Sequence, residues 1–266
     1  MQIASPALNE DRTRHETLAA QTQAVEHAIQ VMHTHLHEVL TLDDLASVAY
    51  LSPSHFKRVF RRLIGISPGE FLSALRLQAA RRLLLTTSLS VTEICFEVGY
   101  TSIGSFTNRF THLVGLSPRL LRQRAQAFEP PAGGQVERSP TTFSGLSLKN
   151  ALLGRISAPA TFRGTIYVGL FTSPIPQGRP VRCTTLRSPG VYLLHGMADG
   201  VYHLRAAAFP MTADLHSSLL PGEQLLLGNN ASPLVIRHGH VTGDPDLALH
   251  PPRLTDPPLV MGLPLL

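Results

Sequence analysis

Ser54, Lys57, Arg58, Arg61 and Arg62 stand close together in the segment SPSHFKRVFRR (52–62). Read as a helix, the segment places Phe56 and Phe60 four apart on one face, which packs inward, and turns those five outward. Four positive charges on one short helix can reach the bases and phosphates of a nucleic acid. Enzyme chemistry has no comparable candidates. The chain carries no P-loop, G-x-G-x-x-G or H-E-x-x-H. Asp199-Gly200 reads as a hairpin turn rather than a catalytic acid. His33 and His37 (i, i+4 on a helix) and His238 and His240 (alternating on a strand) have zinc-compatible spacing but no third ligand nearby. Asp214 and Glu223 are too few for calcium, which takes six to eight oxygens. The expectation is no metal, no cofactor and no enzyme activity.

The elements that position the basic helix occur twice. Phe56, Phe60, Gly65, Ser67 and Pro68 recur fifty residues later as Phe106, Phe110, Gly115, Ser117 and Pro118. Leu42, Leu45 and Ser52 recur forty-nine residues later as Val91, Ile94 and Thr101, so one residue is inserted in the second copy. Each copy reads as a short helix (42–49; 91–98), a turn (50–52; 99–101) and a second helix (53–62; 102–112). That is a helix-turn-helix, whose second helix can enter a DNA major groove. Between the copies, about 17 helix-compatible residues form a rod of roughly 26 Å, which can set two reading helices about one DNA turn (~34 Å) apart. Thr41, Ser52, Ser67, Ser90, Thr101 and Ser117 stand where N-caps belong. Pro53, Pro68 and Pro118 occupy first helical positions, and Ser67 with Glu70 and Ser90 with Glu93 have capping-box spacing. Residues 22–128 therefore read as about seven short helices behind a polar segment, 1–21.

Past Phe128 the pattern changes. Residues 129–140 read as a linker, and residues 129–266 hold 17 of the 21 prolines. Strand-like stretches follow at 165–171, 180–186, 190–196, 201–209, 223–228, 233–239 and 246–250, separated by Gly and Pro turns. The fold class is multidomain, α plus β: an all-α N-terminal domain and an all-β antiparallel sandwich over 141–266.

Composition agrees with this. Hydrophobic residues make up 43% and charged residues 15% of the 266, which excludes a largely disordered chain. Residues 30–128 hold eleven Lys/Arg against six Asp/Glu, a local excess equal to the whole chain's net +5, as an anionic partner favours. No apolar run is long enough to span a bilayer, and the first 25 residues lack a signal-peptide core. Two cysteines, Cys95 and Cys183, cannot build a disulfide framework. Cys95 reads as a small core residue. The expected compartment is the cytoplasm.

Residues 40–122, with the tail G-Y-x-S-x-x-x-F-x-x-x-F-x-x-x-x-G-x-S-P, resemble the DNA-binding domain of the AraC/XylS family. The resemblance implies a transcription regulator on double-stranded promoter DNA. It places Ser54, Lys57 and Arg58 of the first reading helix toward bases, and Ile103, Gly104 and Asn108 of the second. Ile103 can touch only a thymine methyl, Gly104 reads nothing by side chain and Asn108 can pair with adenine. The first copy should therefore supply most base readout. Ser52, Arg61, Arg62, Thr101, Ser102, Ser105, Thr107 and Arg109 are expected on phosphates. Residues 162–210 resemble a transthyretin-like (carboxypeptidase-regulatory-like) β-sandwich, through G-x-I-Y-V-G-L-F and P-G-V-Y-L-L-H-G-M-A-D-G-V-Y. It is expected to be an interaction or homodimerisation module. The alternative is a small-molecule receptor, which needs a concave cavity; an enzyme fused to a DNA-binding domain ranks below both. RNA polymerase is a candidate partner and no membrane is expected.

Overall fold

The computed structural model describes residues 6–127, 151–210, 225–230 and 232–261. The expected linker (129–140), Asp214 and Glu223 lie outside the described residues.

Among the described residues seven helices precede nine strands: α1 (Pro6–Thr34), α2 (Leu42–Val48), α3 (Pro53–Ile64), α4 (Pro68–Thr86), α5 (Val91–Glu97), α6 (Ile103–Val114) and α7 (Pro118–Gln126). Helix α1 begins at Pro6, well ahead of the 22 expected, and Val25, Ala28, Ile29 and Met32 anchor it in the core. Its earlier turns lack that apolar stripe, so periodicity could not find them. The two repeats pack alike. Phe56 and Phe60 are fully buried with ring centroids 5.6 Å apart, and Phe106 and Phe110 repeat both features. One contiguous core joins both units to α1, α4 and α7.

Turn chemistry explains the one-residue slip. Helices α3 and α6 are each 12 residues long, fifty apart, and end on left-handed glycines, Gly65 (φ 87°) and Gly115 (φ 89°). The extra residue sits in the second turn, so Ser102, not Thr101, is the N-cap of α6 and accepts the Ser105 N–H at 3.4 Å. Ser52 occupies the N-cap position of α3, but its hydroxyl makes no capping bond. Thr41, Ser67, Ser90 and Ser117 do cap their helices, and Pro53, Pro68 and Pro118 open theirs.

In the second turn Gly99 adopts φ 81°, and a Cβ there would stand 2.6 Å from the Leu36 carbonyl oxygen. That carbonyl also accepts Arg76 Nε at 2.8 Å, so it cannot retreat freely. Gly99→Ala should cost about 1–3 kcal/mol, measured by urea unfolding of the full chain.

Capping boxes close at Thr41/Asp44, Ser67/Glu70 and Ser90/Glu93. Side-chain and then backbone hydrogen bonds hold Asp44 and Glu70 below their ordinary 3.8 and 4.5; backbone and then side-chain bonds do so for Glu93. A lowered folded-state value means the contribution is complete above the ordinary value and is lost as pH falls through the folded one. The thermal midpoint should therefore drop between about pH 5 and pH 3, and less steeply in a Ser67→Ala, Ser90→Ala protein.

The strands are β1 (Ala151–Ser157), β2 (Gly164–Phe171), β3 (Arg182–Leu186), β4 (Gly190–His195), β5 (Gly200–Pro210), β6 (Leu226–Asn229), β7 (Leu234–Arg237), β8 (His240–Thr242) and β9 (Leu247–Ala248). One sheet runs β4-β1-β9; the other runs β3-β2-β5-β7-β8, with β6 also on β5. Leu152, Ile156, Tyr192 and Leu194 of the first sheet share a core with Ile166, Val168, Leu204 and Ile236 of the second. All seven expected strand regions contain strands, and β1 and β8 are additional. The pairing is mostly antiparallel, but β9 runs parallel to β1. His238 does not sit on a strand: it has φ 51° in the β7–β8 turn, and its N–H donates to Asp199 Oδ2 at 2.8 Å. Asp199 lies in a bend before β5, but β4 and β5 belong to different sheets, so Asp199-Gly200 is not the hairpin turn expected from its sequence. Among the described residues no three His, Cys, Asp or Glu side chains cluster as metal ligands, and no helix is long and apolar enough to cross a membrane.

Candidate nucleic-acid interface

The α3 surface is built by subtraction. Phe56, Val59, Phe60 and Ile64 take the buried stripe, so Ser54, Lys57, Arg58, Arg61 and Arg62 are left exposed on the remaining faces. Arg62 is not loose: it donates to Gln21 Oε1 of α1. Arg61 lies close enough to Glu70 to help hold its carboxyl down. Lys57 and Arg58 follow Ser54 at i+3 and i+4 and so share its side of the helix. Ser52, at the start of this helix, keeps its hydroxyl outside the capping pattern.

The α6 surface has the same frame and less charge. Phe106, Phe110, Leu113 and Val114 are buried, while Ile103 (41% exposed), Gly104 and Asn108 face outward. A Cβ at Gly104 would meet nothing closer than Ser102 Oγ at 3.9 Å, so the glycine leaves open space where a longer side chain would fit. Thr101, Ser102 and Ser105 are exposed at the helix start and Thr107 is half-buried. Arg109 is exposed, and its Nε donates to Ser73 Oγ at 2.6 Å. Ser73 in turn shares a 3.0 Å hydrogen bond with the Tyr100 hydroxyl. This chain of bonds ties Arg109 to α4 and sets its direction.

Three arginines counted in the basic excess serve the scaffold instead. Arg76 donates to the carbonyls of Leu36 (2.8 Å) and Glu38 (2.6 Å), beyond the end of α1. Arg122 reaches from α7 to the carbonyls of Leu84 (3.1 Å) and Thr87 (3.4 Å) at the end of α4. Helix ends leave carbonyls without intrahelical partners, and these guanidiniums supply donors there. Arg81 is buried on α4 and donates to the carbonyls of Leu259 and Met261. Burial lowers its pKa to about 10, which leaves it charged at neutral pH. The sequence signal for Arg81 was its place in the buried stripe Ala74, Leu77, Arg81, Leu84. Cys95 is fully buried, as expected of a small core residue, and burial pushes its thiol upward.

A cleft of about 360 Å³ opens where the end of α6 meets the β2–β3 loop, with His112, Ser173, Gln177 and Arg179 among its lining residues.

Comparison with known proteins bears on this same region. Residues 45–124 match the family described as "Helix-turn-helix domain". The uncharacterized HTH-type transcriptional regulator YobQ of Bacillus subtilis is 34% identical over 95 residues, or 36% of this chain and 39% of that one. The HTH-type transcriptional activator AarP of Providencia stuartii is 37% identical over 83 residues, or 31% of this chain and 62% of that one. The chain thus spans less than two thirds of the length of either relative. The DNA-binding domain of the global transcriptional factor AdpA, solved with a target DNA, is 32% identical; the match covers 41% of this chain and 97% of that one, with a TM-score of 0.39. Residues 45–124 of the chain are thus similar to this helix-turn-helix family.

Proposed function

We propose that the chain is a sequence-specific transcription regulator that reads two successive major-groove segments of double-stranded DNA. The observation that carries this reading is the pair of 12-residue helices α3 and α6. Each is fixed from behind by two phenylalanines and each leaves its outer face open to a groove. Such a helix fits a major groove about 12 Å wide. The relatives' names, HTH-type transcriptional regulator and activator, support the same reading.

Within it, Ser54, Lys57 and Arg58 read bases, and Ile103, Gly104 and Asn108 add a weaker second readout. Ser52, Arg61, Arg62, Thr101, Ser102, Ser105, Thr107 and Arg109 lie toward phosphates, which position the protein without carrying sequence information. The strand-rich C-terminal part is read as a transthyretin-like β-sandwich, supported by the core its two sheets share. A regulator of this kind acts in the cytoplasm without enzyme chemistry, with RNA polymerase as a partner. Hydroxyl-radical footprinting of the full chain on a duplex that it selects tests the reading. Two protected patches about one helical turn (~34 Å) apart on one DNA face are expected. A single patch would remove α6 from the interface.

A further inference from the structure

Among the described residues, the two parts of the chain touch at the C-terminal ends of α3 and α6 and along α4. Between β2 and β3 the chain passes Pro174, which packs against the α3 C-cap; a Cβ on Gly65 would lie 3.5 Å from Pro174 Cβ. Four residues later the Gly178 N–H donates to the Leu113 carbonyl in the last turn of α6, at 2.7 Å. One short span therefore reaches the ends of both reading helices. It is itself held from the β side, where Arg205 donates to the Pro174 carbonyl at 3.1 and 2.9 Å. Ile175 inserts into the helical core at 4% exposure.

A second contact secures the helix between the two units. Val260, fully buried, belongs to the helical core rather than to the β core. Its neighbours Leu259 and Met261 offer their carbonyls to Arg81 of α4. Burying the guanidinium costs hydration, and these carbonyls offset part of that cost in the docked arrangement. Docking does not obstruct the outer faces: Ser54, Lys57, Arg58, Ile103, Gly104 and Asn108 all remain exposed.

We infer that the C-terminal domain is a brace for DNA reading. Pro174, Ile175 and Gly178 at one contact and Arg81 with Leu259–Met261 at the other hold α3 and α6 at one separation, and so determine which spacing between half-sites is bound. These are positioning residues. They touch no DNA, and their effect passes through the geometry of the two reading helices. Two linked binding units gain avidity only where the link lets both engage at once, and a stiff link narrows the range of spans that qualify. The inference rests on the DNA-reading proposal above.

The test uses the full chain and synthetic duplexes carrying its selected motif, with one or two base pairs added or removed between the half-sites. The unaltered chain should lose about tenfold or more in affinity for each such change. Gly178→Pro removes the N–H that Leu113 accepts and cannot hold φ at +63°. Val260→Asp places a carboxylate in the helical core. Both variants should bind the natural spacing about tenfold more weakly and lose less than about threefold on altered spacings, which flattens the profile. A protein that is merely destabilised loses active fraction equally on every duplex, so its profile shifts without flattening. Circular dichroism melts establish that the variants are folded. If Val260→Asp does not fold, Gly178→Pro decides alone, because the substitution lies in a surface loop. A folded variant that keeps the parent's spacing profile overturns the brace while leaving DNA reading intact. An unaltered chain that selects no motif overturns both.

Discussion

Arg58→Ala lowers affinity for the selected duplex and relaxes base preference at one half-site, with a loss of about 1–3 kcal/mol of discrimination. The expectation follows from packing. Phe56, Val59 and Phe60 lock α3 against the core, so the exposed Arg58 side chain leaves the domain on the face that can enter a groove. Arg61→Ala is the matched contrast. Arg61 is also exposed but lies toward Glu70, nearer the end of the helix. Its loss should weaken binding to all sequences evenly and reduce the slope of log affinity against log salt by about one. Competition titrations against a panel of single-base variants separate the two patterns. An Arg58→Ala protein with unchanged base preference would remove Arg58 from direct readout.

Phe60→Ala should destabilise the helical part by about 3–5 kcal/mol, a large share of the 5–15 kcal/mol typical of a folded protein. Its ring is fully buried and meets Phe56 and Phe71 edge to face, each at 5.6 Å. The cavity would open where α3 joins α4, and the contiguous core carries the loss to both units. Calorimetry of the full chain should show the helical transition shifted down strongly, with DNA binding lost on every sequence alike. Phe96→Ala provides the scale. Phe96 is 54% exposed on α5, and its removal should change stability by no more than about 0.5 kcal/mol. A Phe60→Ala chain as stable as Phe96→Ala would contradict the shared core.

Much of the helical part was legible because its repeated residues have one physical job each. Phenylalanines four apart must share a buried face, Gly65 and Gly115 end helices in a left-handed conformation, and Ser67 with Glu70 closes a box. Where two residues could do one job, the reading slipped. Thr101 and Ser102 can both cap a helix, and only the extra residue in the second turn selects Ser102. The charge count was the weaker guide. It treats every arginine alike, whereas Arg76, Arg81 and Arg122 donate to scaffold carbonyls while the α3 set, Arg82, Arg109, Arg119 and Arg124 are exposed. In the C-terminal part, burial alternates along β4 and the first half of β5, while β2 and β5 each carry a run of four buried residues towards their ends. In β1 burial alternates throughout at Leu152, Gly154 and Ile156, but the middle position is a glycine that approaches the Tyr192 ring and the Pro245 carbonyl too closely for a Cβ, so the sequence shows no apolar period there. Strand β8, at three residues, is too short to show a period. The contacts between the two parts are the least legible, since they join residues far apart in sequence such as Arg81 and Met261.

The central claim is that α3 and α6 together read DNA sequence, and selection by the full chain from a random duplex pool at two salt concentrations tests it most directly. The account predicts one enriched motif with two conserved halves about one turn apart, retained at the higher salt although bound more weakly. Equal recovery of all sequences at low salt, vanishing at high salt, would contradict it and leave only a basic helical surface that holds polyanions.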